Sequence, residues 1–400
     1  MAFLSLGAAF SPTLVLYARD AGASPAAVGG PIALGSFLGS LIRLPAGALS
    51  TFAGRRKLLL AGTAALAAVP LLPLLLPPSL PLLWTVGGLY ALATIFMPAA
   101  LAYVHDLFPE SDQARPLGFY TAFTGLGRAA GPLAAGFLLE RLGSRSGPGR
   151  YAPVYLLCAA AGTASFLLMR GLPEAGRPGP DPDPFARRVL RDLGAALSDR
   201  PLAGAYVARL VQTLALGAMI AFFPVYGREV AGLTESRIGL LLSALHVMAV
   251  LTRPATAVLS SGVRRTPFMA AGMVTVAAAL LLVPRTTRFW ALLPLLALMG
   301  MGEAVGQVST LAYLADRAGK RLFGAAAGIV GTFFDLGLAA GQFLPGILLP
   351  IFGSPPHYAA GYPPAFGILG AAILAAGLAI PRFLHSFERN RPAGETPSQH

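Results

Sequence analysis

A single cysteine, Cys158, in 400 residues excludes an intramolecular disulfide and any multi-cysteine metal site. It lies in an apolar run and reads as a small packing residue. Charge is also scarce. Only 12% of residues are Asp, Glu, Lys or Arg, where a soluble domain averages about 25%. The five His and seventeen acids show no metal-ligand spacing, no P-loop is present, and no serine sits in a nucleophile elbow. Enzyme chemistry, direct use of ATP and a bound cofactor are therefore not expected. The first seventeen residues have no basic start, so a cleavable signal peptide is not expected either.

What is abundant is apolar. Hydrophobic residues make up 55% of the chain, and the mean hydropathy is +0.67. A chain of this kind can only keep an apolar exterior by facing lipid. Apolar runs recur at 1–17, 28–50, 57–77, 82–104, 116–139, 152–170, 202–226, 237–260, 267–284, 289–314, 322–352 and 364–384. Each must be helical, because lipid offers no partner to backbone N–H and C=O groups. The first run is short for a span of about 20 residues, so a first helix clipped at Met1 is one expectation.

The net charge of +13 could signal nucleic acid, but the arginines sit between apolar runs, without interleaved aromatics. They follow the positive-inside pattern instead. If the central polar stretch is cytoplasmic, roughly eighteen Lys and Arg lie in inside segments and eight in outside ones. Both termini are then cytoplasmic, and the expected location is the inner (plasma) membrane, multi-pass. The longest polar stretch, 172–200, opens with Pro, Gly and Asp and continues from Phe185 with apolar residues at helical spacing. That pattern suits a short amphipathic helix on the membrane surface.

The chain repeats itself. At an offset of 209, Tyr17 meets Tyr226, Arg19 meets Arg228 and Asp20 meets Glu229. Gly30 meets Gly239 and Pro45 meets Pro254 in the same register. At 210, Gly127, Gly131 and Gly136 meet Gly337, Gly341 and Gly346. Matches of Tyr, Arg, acid and Pro in register point to duplication. The expected fold is an all-α membrane protein with twelve transmembrane helices in two six-helix pseudo-symmetric halves. The expected divisions are 1–171 and 201–385 for the bundles, 172–200 for the linker and 386–400 for a cytoplasmic tail.

Three stretches carry a resemblance to the major facilitator superfamily, over almost the whole chain. The loop after helix 2 is similar to the family's G-x-L-x-D-R-x-G-R-R-x-x-L signature at Gly47, Leu49, Gly54, Arg55 and Arg56, while Thr51 and Phe52 replace its Asp and Arg. The family pairs that Asp with an arginine in helix 4, and helix 4 has none here. Helix 5 carries Gly118, Gly127, Gly131-Pro132 and Ala135-Gly136, similar to the family's antiporter motif. Independently of the family, the small residues allow close helix approach and Pro132 bends the helix. Helix 11 carries Phe333-Phe334-Asp335-Leu336-Gly337 and then Gly341, which resembles the arabinose-efflux-like and drug/proton antiporter group. The resemblance implies a secondary transporter with a midplane cavity lined by helices 1, 4, 7 and 10, so that Glu303 and Gln307 face substrate.

Ionisable residues inside spans are costly and point to function. Counting along the helices puts Arg128, Glu303, Asp335 and His246 roughly 18–23 Å deep, near the middle of a ~30 Å core. Arg43, Arg209 and Arg253 form a second layer roughly 10–12 Å from the cytoplasmic face. Glu303, Asp335, Arg128, His246, Gln307 and Arg209 are the candidates for proton coupling or substrate binding. Gly47, Gly54, Arg55, Arg56, Gly127, Gly131, Pro132, Gly136, Arg43 and Arg253 are the candidates for gating, the last two by snorkelling to headgroups. A purely structural reading stands beside each: Asp335 could simply hold helix 11 to helix 2, and His246 could be a satisfied interior histidine. The expected partners are a small-molecule substrate, protons and the lipid bilayer, with no nucleic acid, for a protein acting as a monomer. Export by proton antiport, proton-coupled uptake or facilitated diffusion, and a non-transporting sensor or scaffold that keeps the fold all remain open from sequence.

Overall fold

The computed structural model describes residues 6–53, 55–107, 114–142, 148–173, 185–261 and 263–389. Gly54, the side chain of Arg55, the surroundings of Gly47 and the tail beyond 389 lie outside the described residues. The described chain folds into twelve helical rods. In the first half, α1 runs from a 3-10 turn at Leu6–Ala9 into Phe10–Asp20. It is followed by α2 (Pro25–Ala53), α3 (Arg56–Leu75), α4 (Leu80–Tyr90 through Phe96–Leu107), α5 (Ala114–Leu142) and α6 (Gly149–Arg170). The second half comprises α7 (Arg200–Glu229), α8 (Glu235–Leu259), α9 (Thr266–Arg285), α10 (Phe289–Gly319), α11 (Leu322–Phe352) and α12 (Tyr362–Arg389). A separate linker helix, Phe185–Ser198, lies between the halves.

Among the described residues, nine of these helices are long and apolar enough to cross a membrane. The other three are the short α1, the α4 rod broken by a 3-10 stretch at Ala91–Ile95, and α5. Local sequence sets the ends. Ser79, Asp199 and Thr234 accept hydrogen bonds from backbone N–H groups in the first turns of α4, α7 and α8, which satisfies donors that have no intrahelical partner. The turn expected between helices 10 and 11 is almost absent. Helix runs up to Gly319 and resumes at once, with Gly319 at φ 62°, ψ 175°, a conformation that residues with a Cβ avoid.

The duplication seen in sequence is present in space. Tyr17 stacks edge-on to Tyr151 at 5.7 Å, and its repeat mate Tyr226 meets Tyr362 at 5.1 Å. The Tyr17 hydroxyl donates to the Pro73 carbonyl at the end of α3, and Tyr226 donates to Val283 at the matching end of α9, both at 3.4 Å. Two equivalent interfaces join the halves: α2 against α11, and α5 against α8. Glycine makes each possible. Gly136 of α5 lies on the backbone of Glu235 and Ser236, and Gly346 of α11 lies on that of Pro25 and Ala26. Pro132 of the same α5 run puts its carbonyl against Gly239. Glu140 accepts from the Ser236 N–H at 3.0 Å, capping α8 from the other half.

The face opposite the linker is closed by ion pairs. Arg19 binds Glu229 at 2.6 and 3.0 Å, and Arg228 binds Asp20 at 2.6 and 3.2 Å. These are the two adjacent Arg–acid pairs of the repeat, exchanged crosswise about the pseudo-two-fold axis. Tyr151 donates to Asp20, and Arg150 pairs with Glu235 beside them. The two crosswise pairs are bidentate, and Tyr151 joins the Arg228–Asp20 pair into a network, yet each pair keeps some contact with solvent.

This arrangement predicts that Asp20→Cys with Arg228→Cys, in a Cys158→Ala background, joins the halves through a short thiol-reactive crosslinker. After cleavage at a protease site placed within 176–184, the crosslinked chain should stay whole on a denaturing gel. Separation into two fragments would contradict the closure. Gly136→Val should overpack the α5–α8 contact and cost about 1–3 kcal/mol, read as a lowered melting temperature in detergent.

Candidate functional site

A cavity of about 260 Å³ lies between the halves, lined by residues of α1, α2, α3, α4 and α5 on one side and α7, α8 and α11 on the other. Arg43, Arg128, Pro132, His246 and Asp335 line it. The α11 contribution follows from helical spacing: Asp335, Leu338 and Gln342 fall at i, i+3 and i+7 and share one face.

Across this cavity, Arg43 of α2 meets Asp335 of α11 at 3.1 Å, and the same guanidinium reaches the Gly331 carbonyl at 3.4 Å. The pair spans the two halves. A second link, Ser36 donating to Gln342 at 2.8 Å, lies on the same α2–α11 interface. Asp335 therefore holds helix 11 to helix 2 and also lines the cavity. Arg43 does not snorkel to headgroups, because a carboxylate within reach is a better partner than a distant interface.

The second acid is placed differently. Glu303 of α10 binds Arg209 of α7 at 2.5 Å, with side-chain exposures of 9% and 4%. Gln212 accepts from Arg209 at 3.3 Å and donates to the Gly302 carbonyl at 3.0 Å. The Arg209 guanidinium lies 4.8 Å over the Phe334 ring, and Phe334 also lines the cavity. The pair is thus inside the second half, behind Phe334. The expectation that Glu303 and Gln307 face the cavity is corrected: neither lines it, and α10 contributes no residue to its wall. Glu303 gains more from a hydrogen-bonded guanidinium in its own half than from an apolar cavity. The two charge layers are corrected as well. Arg43–Asp335 and Arg209–Glu303 each join one layer to the other, because long arginine stems let the charged heads meet.

Arg128 of α5 lines the cavity and, among the described residues, has no ion-pair or hydrogen-bond partner. Tyr120, on the same helix and in the same wall, has a buried hydroxyl with no partner, as has Nε of Arg43. Arg253 does not line the cavity, and its Nε is also buried without a partner. Gly127 and Gly131 are buried along α5. Arg56 donates to the Arg170 carbonyl, tying α3 to α6 within the first half. Tyr120, Phe334, Gln342 and the crosswise pairs of Arg19, Asp20, Arg228 and Glu229 were not singled out as site residues from sequence. For the last four the signal was there: oppositely charged neighbours repeated about a two-fold axis can pair crosswise.

The Arg209–Glu303 pair predicts an asymmetry between variants. Glu303→Gln leaves a buried guanidinium without its counter-charge and should cost about 3–5 kcal/mol, whereas Arg209→Met with Glu303→Leu should be close to neutral. Thermal unfolding of purified protein in detergent checks both.

Two solved structures share this architecture. The nucleoside transporter NupG, crystallised as a point mutant, superposes with a TM-score of 0.76 at 12% identity, covering 95% of this chain and 96% of that one. A bacterial homologue of the human lysosomal transporter Spinster, inward-facing and unoccupied, gives a TM-score of 0.73 at 14% identity, covering 98% of each chain. At such identities the likeness shows the fold alone. The sequence profile of the Major Facilitator Superfamily matches residues 1–262 and 232–400, the whole chain between them, and the protein belongs to that family of membrane transporters.

Proposed function

We propose that this protein exports a small organic solute in exchange for protons, by alternating access of the central cavity. The observation that carries the reading is the Arg43–Asp335 pair, an ion pair that joins the halves on the cavity wall. A proton on Asp335 neutralises the acid and removes its hold on Arg43. The α2 and α11 helices are then free to part on the linker side while the crosswise pairs keep the opposite face closed. Loss of the proton restores the pair. One titratable group thereby links proton movement to the relative position of the halves, which is what coupling requires.

The lysine and arginine bias assigns the linker face to the cytoplasm and the closed face to the exterior of a plasma membrane. Export is favoured by the resemblance of the Gly127, Gly131-Pro132 and Gly136 run to the family's antiporter motif, of which Gly136 and the Pro132 carbonyl make the α5–α8 contact on the closed side. A monomer suffices, since both walls of the cavity come from one chain. The residue pattern of the helix 2 loop, with Thr51 and Phe52 in place of the usual charges, leaves the inter-half ion pairs described above as the conformational latch.

Everted membrane vesicles with an acid interior test the proposal. A panel of dyes, antibiotics, organic acids, sugars and nucleosides is added while the pH gradient is followed by fluorescence. At least one compound should dissipate the gradient, and Asp335→Asn should lower that response roughly tenfold or more. A flux that ignores pH in proteoliposomes, with Asp335→Asn unchanged, would replace antiport with facilitated diffusion.

A further inference from the structure

Four arginines lie within the helical bundle at Arg43, Arg128, Arg209 and Arg253, against two acids, Glu303 and Asp335. Both acids are taken: Asp335 by Arg43 and Glu303 by Arg209. Arg128 is left in the cavity wall with no ion-pair or hydrogen-bond partner among the described residues, and the already paired Asp335 and Glu303 act on it only from beyond ion-pair distance. A guanidinium in an apolar membrane interior without a partner is unfavourable, and it persists where a ligand or another function supplies the missing charge. Packing does not demand it here. At the repeat offset of 210 its mate is Leu338, which lines the same cavity from the other half with an aliphatic side chain.

We propose that Arg128 is the anchor of an anion site, and that the transported solute is a small monocarboxylate with an apolar body. This deepens the transport reading above and rests on it. The guanidinium offers two parallel N–H donors in the geometry that a carboxylate accepts. The hydroxyl of Tyr120 and Nε of Arg43, both buried and unpartnered, add donor capacity beside it. Only one full positive charge is uncompensated in the wall, since Arg43 already faces Asp335. That count fits a single negative charge better than a phosphate dianion. The rest of the wall, including Phe10, Leu14, Ile32, Leu216 and Ile220, is apolar and suits an aromatic or aliphatic body. The volume of about 260 Å³ limits that body to a small one.

The test uses the full chain purified in detergent, with benzoate, salicylate and octanoate as probes. Each is matched with its amide, and phenyl phosphate is added as a dianion. Binding is read as a shift in melting temperature across a concentration series. At least one carboxylate should stabilise the protein, its amide should not, and phenyl phosphate should act more weakly. Arg128→Gln should weaken carboxylate binding roughly tenfold or more, and Arg128→Lys should retain part of it. Arg128→Gln should also raise the melting temperature of the empty protein, because it removes an uncompensated charge, whereas loss of a structural arginine would lower it. No response to any carboxylate, an equal response to acid and amide, or unchanged carboxylate binding in a folded Arg128→Gln protein would each overturn the anion site. Carboxylate binding that depends on Arg128 but produces no flux in proteoliposomes would instead leave the site standing and defeat the transport reading.

Discussion

An ionised group in the apolar interior of a membrane must have a partner, and the arrangement of this protein's centre follows from that constraint. Two of the four interior arginines are held by acids. The Arg209–Glu303 pair is enclosed within one half, screened by Phe334 and fixed by Gln212. Such a pair is a fixture, because breaking it leaves a bare charge behind. The Arg43–Asp335 pair joins the same two charged groups, but without a hydrogen bond to the facing Asp335 oxygen, and it bridges the two halves at a cavity. Its partners can be moved apart, provided something neutralises the acid first. Location, rather than residue type, separates a structural ion pair from one that can couple.

The closed face obeys a different balance. The pairs of Arg19 with Glu229 and Arg228 with Asp20 keep some exposure, so water can take the place of each partner when the face opens. A gate that must open in every cycle cannot be deep, since a two-state device works only when its states differ by a few kcal/mol. Backbone-close contacts at Gly136 and Gly346 give this face its fit, and the crosswise charges give it register. The features that obey the repeat, among them the tyrosine pairs, the glycine contacts and the crosswise salt bridges, build the scaffold. The charged residues of the cavity wall break it: Arg128 stands against Leu338 and Asp335 against Gly125.

Much of the fold could be read in advance. Spans, repeat and linker helix were set by hydropathy, self-similarity and a local apolar pattern. The exceptions were local, as at the 10–11 turn, where only Gly319 interrupts helix. The site was legible as a set of residues but not as a set of pairs. Depth along a helix follows from a rise of about 1.5 Å per residue, whereas the direction of a side chain depends on how each helix is rotated against its neighbours. Counting therefore placed Glu303 and Asp335 at similar depth but could not say that one turns inward to Arg209 and the other to Arg43. It also missed Tyr120, whose importance lies in an unpartnered hydroxyl that only packing reveals.

The central claim is that neutralising Asp335 releases one half from the other. Spin labels at Leu168→Cys and Ala315→Cys, near the linker-side ends of α6 and α10, in a Cys158→Ala background, would report their separation by pulsed dipolar spectroscopy as a function of pH. Both positions are exposed. The account predicts that acid shifts the wild-type distances to longer values, and that Asp335→Asn holds them long at every pH. Distances in the wild-type protein that do not change with pH, or an Asp335→Asn protein that keeps the full pH response, would contradict it.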